Sequence, residues 1–113
     1  MQRMDERVKE ILEKLKETDG YDYRYDHFSQ SEAVPPPFLV YRRVAADPFS
    51  ADGVVYHHGQ HVDVELYAST PDEMSELRAA VEELLDAAGI YYKLTADTVY
   101  IESEDFYESL YEI

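Results

Sequence analysis

The chain has 113 residues, enough for one domain and one modest core, and no cysteine, hence no disulfide framework and no thiol nucleophile. Apolar residues make up 45% and charged residues 31%, a globular rather than a disordered composition. Twenty-five acidic residues stand against ten basic ones, a net charge of -15, which argues against a protein that grips nucleic-acid backbone or docks on an anionic membrane.

The charge is uneven. Residues 1–20 carry five basic and six acidic groups, whereas residues 62–113 carry only Arg78 and Lys93 against fourteen acids and so hold -12 of the total. Such a surface keeps a small protein soluble, and it also repels other polyanions. No apolar run approaches the length of a membrane span, and residues 1–20 lack the apolar core of a signal peptide. Eleven tyrosines and no tryptophan give a supply of rings with polar tips, suited to half-buried sheet faces and subunit contacts.

In chain order, Met4, Val8, Ile11, Leu12 and Leu15 recur at the spacing of one helical stripe, predicting a helix over residues 5–18 that Asp19-Gly20 stops. A charged helix of this length is marginal alone, so the stripe must dock on something. In residues 21–28, Tyr21, Tyr23 and Tyr25 alternate with Asp22, Arg24 and Asp26, the period of a strand or extended arm. Pro35-Pro36-Pro37 stiffens the approach to a strand over residues 38–42, and residues 45–53 read as a turn or long hairpin loop. A long strand is expected over residues 54–68, with Gly59 at a bend. After Gly59, Val62, Val64 and Leu66 point inward while His61, Asp63 and Glu65 point outward.

Thr70, Pro71 and Glu73 spell a helix start, and Met74, Leu77, Val81, Leu84, Leu85 and Ala88 form the stripe of a second helix ending at Gly89. Residues 90–94 and 98–101 read as a hairpin turning near Ala96-Asp97; in residues 106–113, Tyr107, Leu110 and Tyr111 suit a helical turn and Leu110-Tyr111-Glu112-Ile113 a last strand, and the strand is the preferred reading. The expectation is an α+β fold: one domain over residues 1–113, with a mostly antiparallel sheet of four to five strands and two main helices packed on it.

His57-His58-Gly59-Gln60-His61 is the one cluster resembling a metal site. On a straight strand His57 and His61 stand roughly 13 Å apart, too far to share an ion unless Gly59 bends sharply. The acids Glu82, Glu83, Asp86, Glu102, Glu104 and Asp105 are numerous enough to form a carboxylate pair, but a chain this short has little room for the cleft that glycoside chemistry needs. No glycine-rich phosphate loop or nucleophile elbow occurs. Neither a catalytic residue, nor a metal, nor a cofactor is expected. An acidic regulatory binder that mimics DNA is the alternative on charge alone.

Pro37-Phe38-Leu39-Val40-Tyr41, the Asp52-Gly53 loop, Val54-Val55-Tyr56, Val62 to Tyr67, the acidic helix, Ala88-Gly89-Ile90-Tyr91-Tyr92, Tyr100 to Glu104 and Leu110-Tyr111-Glu112-Ile113 together form a familiar string. From Pro36 onward the chain resembles the small tail-terminator or tail-completion proteins of long-tailed phages and Gram-positive prophages. The resemblance implies a hexameric ring, made in the host cytoplasm, that caps the finished tail tube and offers a surface to the neck of the head. Its partners would be copies of itself, the tail tube protein and a neck or head-completion protein, with DNA passing through without specific binding. Tyr21, Tyr23, Tyr25, Tyr56, His57, His61 and Tyr67 are then the candidate ring contacts. Glu82, Glu83, Asp86, Glu102, Glu104 and Asp105 are the candidate acidic lining of the bore. Another neck or head-closure station is the nearest alternative, since those proteins are also small and acidic.

Overall fold

A computed structural model describes residues 2–29, 31, 33–44 and 61–113. The elements run α1 (Met4–Asp19), β1 (Asp22–Tyr25), β2 (Phe38–Val44), β3 (His61–Ala68), α2 (Pro71–Ala87), β4 (Lys93–Ile101) and β5 (Phe106–Glu112). The five strands form one sheet in the order β1-β2-β3-β5-β4, and β1 alone pairs in parallel. The fold is α+β, as expected. The predicted loop over residues 45–53 and the first half of the predicted 54–68 strand, with Tyr56, His57 and His58, lie outside the described residues.

Both helices cover one face of the sheet. Val8, Ile11, Leu12 and Leu15 of α1 and Met74, Leu77, Val81 and Leu85 of α2 are buried against Leu39, Tyr41, Val62, Val64, Leu66 and Tyr111. Each larger side chain so removed from water contributes about 1.5–3 kcal/mol. Leu84 is half-buried at the edge of this core, while Ala88 lies exposed beyond the helix end.

The local signals act as their chemistry dictates. Gly20 ends α1 in the left-handed conformation and donates its N–H to Lys16 at 2.9 Å. At the start of α2, the Thr70 hydroxyl accepts from the Glu73 N–H at 3.1 Å. The Glu73 carboxylate reaches back to the Ser69 N–H at 2.7 Å, closing a reciprocal cap.

The β4 region corrects the sequence reading. Ala96-Asp97 is not a turn: β4 runs unbroken from Lys93 to Ile101, with register shifts on either side of Ala96. The hairpin turn falls at residues 102–105, where the N–H groups of Glu104 and Asp105 both donate to the Ile101 carbonyl. The irregularity that mimicked a turn is a bulge. Thr98 takes a left-handed φ of 54°, unusual for a β-branched residue. Two contacts hold it: the Thr98 N–H donates to Ser109 Oγ at 2.9 Å, and Asp97 pairs with Arg78 of α2 at 2.9 Å. Asp97 is accordingly held below the ordinary carboxylate range, first by its hydrogen bond from Thr98 and then by Arg78.

Candidate interaction surfaces

The sheet face opposite the helices carries the polar chemistry. Cross-strand register places Arg42, Asp63 and Glu112 in one row, Val40, Glu65 and Leu110 in the next, and Phe38, Tyr67 and Glu108 in the third. The alternation along β3 points both Asp63 and Glu65 away from the helices. Asp63 is only half-buried, but Glu65 is 9% exposed, because the chain after β1 folds back over its row. Joining β1 to a parallel β2 requires a long crossover, and of its described residues Asp26, His27, Phe28, Ala33 and Val34 lie on this face beside Glu65.

Glu65 is held by an ion pair with Arg42 and by the Tyr67 hydroxyl, which donates to it at 2.6 Å. Burial, then the Glu65 hydrogen bond, pushes the Tyr67 hydroxyl pKa well up, so Tyr67 remains a donor. Among the described residues no buried side-chain nitrogen or oxygen lacks a hydrogen-bond partner.

Asp63 and Glu108 are both pushed above the usual carboxylate range. For Asp63 the causes are burial and then the charge of Glu112 directly across the ladder; for Glu108 they are burial and then Glu65. A carboxyl whose pKa is raised in the folded state favours folding below its ordinary value, 3.8 for Asp63, and that contribution is lost as pH climbs through the raised value. Asp63→Asn is therefore expected to be near neutral in acid and to stabilise the protein by about 0.2–1 kcal/mol at pH 7, the scale of a directly opposed like-charge pair. Urea unfolding of both proteins at pH 3 and pH 7 checks the sign.

One end of this face is an aromatic groove of about 420 Å³. Phe38 stacks on Tyr67 at 4.9 Å, Phe106 meets both edge-on at 6.1 and 5.2 Å, and Phe28 closes the side at 5.0 Å from Phe38. Glu65, Glu104 and Asp26 are the carboxylates that line it.

The described candidate ring contacts fall in three places. Tyr21 and Tyr23 are half-buried and pack on the core beside α1, and the Tyr23 hydroxyl donates to Glu13. Tyr25 is 46% exposed, lies edge-on to Tyr41 at 5.1 Å, and accepts the Arg43 N–H at 3.2 Å. Tyr67 is in the aromatic groove, and His61 opens β3 at the far end of the sheet. Tyr56 and His57 lie outside the described residues, and among the described residues no group of three His, Asp or Glu could hold a metal ion.

The candidate lining acids also separate. Glu102, Glu104 and Asp105 are exposed in the β4–β5 turn, at the groove end. Glu83 and Asp86 are exposed on the C-terminal half of α2, while Glu82 is half-buried and bound to Arg78 and the Tyr111 hydroxyl. Sequence reasoning did not single out Tyr91, which is 95% exposed, or the groove ring Phe106. Nothing in the apolar spacing marks Tyr91, since Ile90, Tyr91 and Tyr92 look alike until the tertiary fold assigns them faces.

The fold and these surfaces define a two-layer α+β protein with its helices on one face and an acidic, aromatic sheet on the other. The family of tail completion protein gp17 matches residues 13–107, and the chain belongs to that family. It is thus a phage tail assembly protein, a component of the virion tail with other tail and head proteins as its neighbours. Structural families of this kind are typically non-enzymatic. Neither a curated protein nor a solved structure matched the chain. No helix among the described residues is long and apolar enough to cross a membrane.

Proposed function

We propose that the protein caps the tail tube as a hexameric ring and joins it to the neck of the head. The observation that carries this reading, given the family, is the acidic excess: residues 62–113 hold -12 of the net charge of -15, and Glu83, Asp86, Glu102, Glu104 and Asp105 are all exposed. A ring multiplies that charge around a bore, where like-charge repulsion keeps passing DNA from sticking. The exposed Tyr25, with Tyr21, Tyr23, Tyr67, His61 and the undescribed Tyr56 and His57, supplies aromatic and polar area for contacts between copies.

An in-frame deletion of the gene in its phage or prophage tests the reading by electron microscopy. The expected particles are full heads beside unattached tails, some of abnormal length. Unattached tails of normal length alone would shift the assignment to a neck or head-closure station, and normal infectious particles would overturn the assembly role.

A further inference from the structure

We infer that the Tyr91–Lys93 corner of one copy seats in the aromatic groove of the next. The inference rests on the ring reading and gives that ring a specific contact. Residues 89–92 join α2 to β4, and the two neighbours of Tyr91 are both anchored. Ile90 is buried in the core, and Tyr92 packs edge-on against the buried Tyr111 at 5.4 Å. Between those anchors Tyr91 is held almost wholly in water. A large ring projected from a stiff support loses little conformational entropy on burial, which is how aromatic anchors come to dominate interfaces.

Lys93 and Tyr91 are both exposed and border the same shallow depression, with His61, Glu112 and Ile113. It is one of only two basic residues after position 61, and the other, Arg78, is bound to Glu82 and Asp97. Lys93 lies in register with Glu112, yet among the described residues no ion pair engages it. The corner therefore offers one ring and one available cation. The groove offers the complement: aromatic walls of Phe38, Tyr67 and Phe106, with exposed carboxylates from Glu104 and Asp26.

The two surfaces also lie where a ring needs them. The groove sits where β2 and β5 begin and β3 and β4 end, whereas Tyr91 stands at the opposite end, beside His61, Glu112 and Ile113. A contact between unlike patches at opposite ends is heterologous, the kind that propagates head to tail and closes into a ring rather than stopping at a two-fold dimer.

The absence of native cysteine makes the test direct. Tyr91→Cys and Glu104→Cys are prepared singly and together in the full chain, both at exposed positions. Under mild oxidation at high protein concentration, the doubly substituted protein is expected to form a disulfide ladder ending at the ring. A mixture of the two single variants should form a dimer joined between positions 91 and 104. Tyr91→Ser, measured by light scattering, should weaken self-association roughly thirtyfold, the loss of one aromatic anchor. Oligomers that form normally without the 91–104 bridge would overturn the contact and leave the ring standing. A 91–91 dimer from the single variant would replace it with a two-fold pairing. Unsubstituted protein that stays monomeric at the same concentration would overturn the contact, and the deletion experiment would then decide the assembly role separately.

Discussion

Replacing Tyr111 by alanine is expected to lower stability by about 3–5 kcal/mol, the range for truncating a large buried aromatic. Tyr111 is 0% exposed, the largest of the fully buried side chains, and lies on β5 between Val64 and Leu94. Its ring packs against Tyr92, and its hydroxyl donates to Glu82 and accepts from Arg78 Nε at 3.2 Å. Truncation leaves a cavity under both α2 and the β4 edge. A protein of this size holds about 5–15 kcal/mol in total, so the variant should be close to unfolded at 37 °C. Tyr111→Phe separates the ring from the hydroxyl: Arg78 and Glu82 still pair at 2.9 Å, and the cost should be only about 0.5–1.5 kcal/mol. With no tryptophan in the chain, far-ultraviolet circular dichroism in urea is the natural readout. Equal losses for the two variants would mean that the network, not the packing, holds this strand.

Arg42→Ala should cost about 1–3 kcal/mol, because it strands the buried Glu65 charge. The figure sits below the loss for a fully enclosed pair because the Arg42 side chain is 37% exposed and water screens part of its interaction. Adding Glu65→Gln should recover most of the loss, since an amide carries no charge and can still accept from the Tyr67 hydroxyl. A double-mutant cycle measures the coupling, and strictly additive losses would show that Arg42 acts through packing alone. The same cluster supports the floor of the aromatic groove, so the single variant should also weaken self-association, with recovery in the double variant.

Much of the architecture was legible along the chain. The 3.6-residue stripes of α1 and α2, the Thr70–Glu73 cap and the glycine stop after α1 are local, and local signals survive in sequence. The apolar spacing of residues 106–112 suits a strand or a helical turn alike, and pairing with both β3 and β4 decides for the strand. The misread turn at Ala96-Asp97 shows where this ends. A bulge and a turn use the same residue types, and the choice between them was made by Arg78 and Ser109, distant in sequence.

Sequence by itself determined the α+β class, the helix faces, the acidic polarity and the resemblance to tail completion proteins. Those properties follow from composition and short-range periodicity, which each segment carries alone. Only the tertiary structure decided that β1 lies parallel to β2, that the crossover buries Glu65, and that four aromatic rings from distant segments meet in one groove. It also decided that Tyr91 stands out in water while Ile90 and Tyr92 turn inward. Each of these depends on which strands become neighbours, and pairing between distant segments is set by the joint burial of the whole core rather than by any one stretch of chain.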